Sequence, residues 1–193
     1  MSVSTPPLRH LSFYRFYDVG DAVALSALKA RMGIVCRELG LKGTILLAAE
    51  GVNVMLSGPA HAIARFREVA SLELGVEAGA FKEADVHDDA FNRLLIKIKR
   101  EIIPVGDPAL RPHERTARRI APRELKRWLD EGRPLTLLDT RNDYEVGVGT
   151  FVGARSLGLT NSRDFTARAR EALATAPGEW AGAPVVTFCT GGI

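Results

Sequence analysis

Two modules in tandem are what this sequence of 193 residues predicts: an α+β domain of the split βαβ, ferredoxin-like plan, followed by an α/β domain with a mostly parallel sheet. Three observations carry the prediction. Hydrophobic periodicity up to residue 105 switches between two and 3.6 in the order β-α-β-β-α-β, with one extra short strand. The stretch 106–121, GDPALRPHERTARRIA, breaks both periods and is rich in Pro and Arg, as a linker is. Beyond it, short apolar strands separated by helices require parallel pairing with helices on the sheet faces. The expected boundaries are 8–105 for the ferredoxin-like domain, 106–121 for a basic linker and 122–193 for the second domain.

The elements follow in order. HLSFYRFYDV (10–19) has the aromatic and β-branched content of a strand, and Asp21 is placed to cap the next helix. In that helix Leu25, Leu28, Met32, Val35 and Leu39 recur at three and four, giving one apolar stripe with Cys36 beside it as a small buried hydrophobe. Gly40 and Gly43 bracket a stop; KGTILLAAEG and VNVMLSG then read as strands joined across Glu50 and Gly51. GPAHAIARFREVA carries a helical pattern through Ile63, Phe66 and Val69. FKEADVHD (81–88) is weakly strand-like, and FNRLLIKIKREIIPV (91–105) strongly so, with Leu94, Ile96 and Ile98 alternating with Leu95, Lys97 and Lys99.

In the second module Pro122 suits the first turn of a helix carrying Leu125, Trp128 and Leu129, which Gly132 closes. PLTLLDT reads as a buried strand ending at Asp139, and FVGARSL (151–157) as a shorter strand or turn. SRDFTARAREALATA (162–176) reads as a helix capped by Ser162, and APVVTFC as another buried strand. Ligands sit off the carboxyl ends of the strands in such sheets. Asp139 and Cys189 are both there.

Composition narrows the classes. An apolar fraction of 46% and a charged fraction of 25% describe a globular chain rather than a disordered one. There is no apolar run of membrane-spanning length, and the lead MSVSTPPLRH lacks the basic flank and apolar core of a signal peptide. The expected location is the cytoplasm, with no membrane partner. Cys36 and Cys189 are far apart with no metal-like spacing, so at most one is chemical. His10, His61, His87 and His113 are scattered, so no metal site and no cofactor can be identified. Charge is uneven: residues 93–133 hold 12 Lys/Arg against 6 Asp/Glu, whereas residues 1–92 hold 9 against 11. Such a basic stripe either is solvated surface or meets phosphates.

The chemistry centres on VVTFCTGGI. A thiol directly after a strand and followed by Thr190, Gly191, Gly192 and Ile193 is open to a ring of backbone N–H groups, because glycine lets the chain curl without a Cβ clash. Such donors stabilise a thiolate or cradle a small anion; the competing reading is a structural cysteine beside a glycine cap. At the other strand end, DTRNDYE places Asp139 to accept from loop N–H groups, Arg141 and Glu145 to pair as a loop clamp, and Tyr144 to pack.

DTRNDYE, a glycine, GTFVGAR, and a strand closing on VVTFCTGG together resemble a rhodanese domain. With GTILLAAEGVNVMLSG in front and LLIKIKREIIPVG before the linker, the chain is similar over nearly its whole length to the bacterial rhodanese-domain tRNA uridine(34) hydroxylases. The resemblance implies an acylphosphatase-like, ferredoxin-like first domain and a rhodanese-like second. It also implies oxygen-dependent hydroxylation of the wobble uridine of tRNA to 5-hydroxyuridine, with molecular oxygen as co-substrate. The family's loop cysteine corresponds to Cys189 and its strand-end pair to Asp139 and Arg141. Two departures stand out: Val54 and Met55 replace a usual glycine and threonine, and the sequence stops before the arginine, second cysteine and helix that normally follow CTGGI, as if truncated there.

Three functions are open on this reading. In the first, Cys189 adds to C6 of the uridine to make C5 nucleophilic, and the anticodon loop, already single-stranded, needs little unstacking. Lys97, Lys99, Arg100, Arg111, Arg115, Arg118 and Arg119 are then the expected phosphate contacts, with Lys126 or Arg127 beside them. In the second, Cys189 carries a persulfide between a small sulfur donor and an acceptor thiol. In the third the chain is a non-catalytic module that binds RNA or protein.

Overall fold

The computed structural model describes residues 8–107 and 109–192. The polar lead before Leu8 lies outside them. Two compact units result: the first ends at Ile103 and takes in Arg111–Glu114, and the second holds Pro104–Leu110 and the chain from Arg115 onward.

The first unit is built from β1 (Leu8–Phe16), α1 (Ala22–Glu38), β2 (Lys42–Ala48), β3 (Gly51–Pro59), α2 (Ala60–Leu74), β4 (Lys82–Val86) and β5 (Leu94–Ile98). Its sheet runs β4-β1-β3-β2-β5, antiparallel at every pairing except β2 with β5. The first four strands of that order are the split βαβ arrangement, and β5 extends it. Asp21 starts α1 as expected, its carboxylate accepting from the amides of Val23 and Ala24 at 3.0 and 2.9 Å. Gly75, at φ +60, ends α2 in the left-handed conformation that glycine adopts without a Cβ penalty. Leu25, Leu28, Met32 and Cys36 of α1 and Ile63, Phe66 and Ala70 of α2 bury against Leu11, Phe13, Ile45, Leu47, Val52 and Val54 of the sheet. One continuous core results, and a side chain such as Phe66, wholly buried, contributes about 1.5–3 kcal/mol to it.

The last strand is shorter than its periodicity predicts. Only Leu94–Ile98 of the 91–105 run pairs, and Ile98 is exposed although it stands on the apolar side. The chain leaves the sheet after Ile98: the amide of Ile102 donates to the Glu50 carboxylate at 2.8 Å, its carbonyl accepts from Asn53 at 3.2 Å, and its side chain is buried. Those two bonds replace the ladder that a longer strand would have needed.

The second unit contains α3 (Pro122–Asp130), β6 (Thr136–Asp139), α4 (Asp143–Val146), β7 (Arg155–Ser156), a 3-10 turn (Ser162–Asp164), α5 (Phe165–Thr175), α6 (Pro177–Trp180) and β8 (Val185–Phe188). Its sheet has the order β7-β6-β8 with both pairings parallel. Helix α3 follows Pro122 and gives way to Gly132 at φ +63, as the sequence predicts. Two expectations fail. The α-helix begins only at Phe165, behind a 3-10 turn over Ser162–Asp164 that Asn161 rather than Ser162 caps, its side chain accepting from the Arg163 amide at 3.0 Å. Strand β8 is not buried; Val185 and Thr187 are exposed and Val186 and Phe188 partly so, because β8 pairs only with β6 among the described residues while β6 is central. An apolar run cannot distinguish a central strand from an edge strand. No helix among the described residues is long and apolar enough to cross a membrane.

Candidate active site

Strands β6 and β8 run parallel with Asp139 opposite Phe188, so the residues after each emerge side by side at the carboxyl edge of the sheet. Thr140 fixes this exit: its amide and its hydroxyl both donate to the Phe188 carbonyl, each at 3.0 Å. Cys189 is the next residue.

Asp139 is buried, its side chain 1% exposed, and its carboxylate is fully engaged. Oδ1 accepts from the Arg141 amide at 3.1 Å and from Arg141 Nε at 2.9 Å; Oδ2 accepts from Arg141 Nη2 at 2.7 Å and from the Thr150 hydroxyl at 2.7 Å. A two-pronged guanidinium–carboxylate contact of this kind fixes direction as well as charge. The Arg141 guanidinium, with Thr150 adding to it, holds the carboxyl below its ordinary pKa although burial works the other way. Arg141 is raised by Asp139, and by the charges of Glu145 and Cys189 acting in the same direction. Its Nη2 also donates to the Gly149 carbonyl at 2.6 Å, and its guanidinium carbon lies 5.8 Å from the centroid of the Phe188 ring. Phe188 meets Phe151 edge to face at 5.0 Å. The result is a cation braced at the strand exit beside the cysteine loop.

Cys189 is half-buried, and its Sγ accepts from the Gly192 amide at 3.0 Å. Gly192 stands at φ +68, the left-handed conformation that turns this amide back on the sulfur. The Thr190 hydroxyl donates to Glu145, tying the loop to α4. Cys36 is the opposite case: wholly buried under α1, its thiol is pushed up to about 12 by burial. It is inert core, as its place beside the apolar stripe predicts.

The structure thus brings together Asp139, Arg141, Cys189, Thr190 and Gly192, with Gly191 between the last two; Ile193 lies outside the described residues. It separates two expected partners. Arg141 pairs with Asp139 instead of Glu145, because the carboxylate two residues away is already buried at the strand end and Glu145 turns to Thr190 and to the Asn142 amide, 3.3 Å away. Tyr144 does not pack; it is 73% exposed. Thr140, Thr150 and Phe188 have no role in the sequence reading. Thr140 carries a signal, a hydroxyl at a strand exit; Thr150 carries none, since eleven residues separate it from the carboxylate it meets.

The cations expected to meet phosphate fall in both units. Lys97, Lys99, Arg100 and Arg111 belong to the first and Arg115, Arg118 and Arg119 to the second, and all are exposed. Lys126 and Arg127 are each occupied by a carboxylate one turn on, Lys126 with Asp130 at 2.8 Å and Arg127 with Glu131 at 3.9 Å.

Residues 8–102 match the family model of the UPF0176 acylphosphatase like domain. Over 189 residues the chain is 42% identical to the tRNA uridine(34) hydroxylase of Cupriavidus necator, covering 95% of this chain and 64% of that protein. It is 40% identical over 200 residues to the tRNA uridine(34) hydroxylase of Thiobacillus denitrificans, covering 95% and 73%, and 39% identical over 189 residues to that of Delftia acidovorans, covering 95% and 69%. The chain therefore spans from under two thirds to about three quarters of the length of these relatives. With its acylphosphatase-like first unit and an identity near 40% that runs on through the cysteine-bearing second unit, the chain belongs to the tRNA uridine(34) hydroxylase family.

Proposed function

We propose that the protein hydroxylates the wobble uridine of tRNA at C5, with Cys189, Asp139 and Arg141 at the reacting centre and Thr190, Gly191, Gly192 and Ile193 forming the loop that cradles it. Its organisation is a ferredoxin-like domain over 8–105, a basic linker over 106–121 and a rhodanese-like domain from 122 onward, working in the cytoplasm on the anticodon loop. The observation that carries this reading is a half-buried sulfur at the carboxyl ends of parallel strands, with the Gly192 amide 3.0 Å away and a guanidinium braced beside it.

The chemistry follows from these groups. Cys189, as thiolate, adds to C6 of uridine; the C5–C6 π pair moves toward C5 and O4. Arg141, held by Asp139, places positive charge where that enolate charge develops. C5 then takes one atom of molecular oxygen, the C5 proton leaves, and the C6–S bond breaks to restore the C5–C6 double bond and free Cys189. The second oxygen atom leaves as water, which requires two electrons and two protons from an external two-electron reductant. Phosphates flanking the loop are met by the exposed cations Lys97, Lys99, Arg100, Arg111, Arg115, Arg118 and Arg119.

The amide turned onto Cys189 also suits an outer sulfur carried as a persulfide, which supports a second reading, transfer of sulfur from a small donor to a thiol. One experiment separates them. Full-length protein is incubated with oxygen, a reductant and unmodified tRNA, and the digested nucleosides are weighed. A uridine gaining one oxygen, lost in Cys189→Ser with tRNA binding retained, is the expected result. Turnover of thiosulfate with no oxygenated nucleoside gives the case to sulfur transfer, and salt-dependent tRNA binding with neither activity leaves a binding module.

A further inference from the structure

Eleven cations of the first unit fall into two sets, while Arg15, Lys82 and Arg111 make other contacts. Arg9 meets Asp85 at 2.9 Å and Glu83 at 3.3 Å, Arg31 meets Glu73 at 3.2 Å, Lys42 meets Asp89 at 2.8 Å, Arg67 meets Glu83 at 2.9 Å, and Arg65 pairs with Glu68. Six others, Lys29, Arg37, Arg93, Lys97, Lys99 and Arg100, are exposed and have no carboxylate partner among the described residues. These six are not scattered. Lys29 and Arg37 lie two turns apart on one face of α1, and the other four lie on β5 or within two residues of its ends.

Lys29 and Arg37 line a cleft of about 360 Å³ at the β5 edge of the sheet, and the β5 cations flank that edge at and beyond the alternate strand positions. Ser26, Lys29, Gly33 and Arg37 of α1 line one side, and Leu94 and Ile96 of β5 line the other. A Cβ on Gly33 would come within 3.1 Å of Arg37 Nη1, so the glycine leaves that guanidinium room to lie along the helix. Strand β5 is also the last of its sheet. Lysine on an edge strand guards against edge-to-edge pairing, which explains Lys97 alone. It does not explain the cations on α1.

We propose that this edge of the ferredoxin-like unit, with Lys29, Arg37 and Arg93 added to Lys97, Lys99 and Arg100, is a docking surface for the sugar–phosphate backbone of the substrate RNA. The inference rests on the tRNA reading above and deepens it. Cations without carboxylate partners match a polyanion, since no ion pair has to be broken before a phosphate is met. The apolar Leu94 and Ile96 that line the cleft with Lys29 and Arg37 suit a ribose seated between two phosphates. The serine hydroxyl and guanidinium supply further phosphate donors.

The test measures binding of unmodified tRNA to full-length protein as salt is raised from roughly 50 to 300 mM, the range over which phosphate contacts lose affinity. A Lys29→Gln/Arg37→Gln/Arg93→Gln variant is expected to bind roughly tenfold more weakly near 0.1 M salt, with a log–log salt slope shallower by about 2, at about 0.7–0.9 per phosphate contact. Its KM for tRNA rises while turnover at saturating tRNA stays at the wild-type level. The control is Arg9→Gln/Arg31→Gln/Arg65→Gln, which loses the same charge from cations that already have partners. It is expected to bind as wild type does. Equal weakening in both variants, or wild-type binding by the first, overturns the surface while leaving hydroxylation by the wild-type protein untouched. A binding loss confined to the first variant, in a protein that adds no oxygen to tRNA, keeps the surface and overturns the hydroxylase reading instead.

Discussion

Asp139 shows how one buried carboxylate organises a strand exit. Four donors from Arg141 and Thr150 converge on its two oxygens, so the group has no unmet acceptor and its negative charge is matched in place. Its pKa is lowered in the folded chain, so the stability it contributes is fully present above the unfolded value of about 3.9 and is lost as pH falls through the lower folded value. Acid should therefore loosen the second unit below about pH 4. Asp139→Asn should cost about 1.5–3 kcal/mol at neutral pH, the range for hydrogen bonds to a charged group, and should flatten this acid dependence. Urea melts followed by tryptophan fluorescence from pH 3 to 7, roughly the window spanning the carboxylate titration, check both points. A variant that keeps the wild-type midpoint at pH 7 would show that Arg141 finds its bracing elsewhere.

At the scale of elements, the central strands of the first unit depend on close backbone approach. Gly43 of β2 lies opposite Leu56 of β3 at φ +131, and a Cβ there would stand 2.1 Å from the Met55 carbonyl oxygen and 2.8 Å from the Leu56 Cα. Neither atom is a flexible tip, so the sheet itself would have to shift. Gly43→Ala should destabilise the unit by about 1–3 kcal/mol from backbone strain alone, read from a urea melt by circular dichroism; an unchanged midpoint would mean that β2 and β3 separate freely. The elements were largely legible because their signals are local. Asp21 precedes a stripe at three and four, glycines stand at turns, and Leu94, Ile96 and Ile98 alternate with polar neighbours. What was illegible depended on tertiary neighbours: β5 ends early because Glu50 and Asn53 capture Ile102. At the site, Cys189 and Asp139 were visible as residues at strand exits. The exchange of Arg141 from Glu145 to Asp139, and the arrival of Thr150, are products of chain geometry that no spacing encodes.

For the whole molecule, the two units differ most in core. Eighteen buried residues form one cluster in the first unit, whereas the buried apolar side chains of the second are Leu137, Leu138 and Leu159 among the described residues. Helices α3 and α5 bury no residue completely, so the second unit removes far less apolar surface from water per residue ordered. Unequal stability follows, and with it a loss of all-or-none unfolding. The chain reports on this by itself: Trp128 and Trp180 both belong to the second unit, while α1 and α2, its two longest helices, belong to the first. In a urea titration of these 193 residues, tryptophan fluorescence should change at lower denaturant than the helical signal in circular dichroism, whose main loss marks the first unit. Coincident midpoints for the two probes would mean that the second unit draws its stability from the first, and that the fold behaves as a single cooperative body.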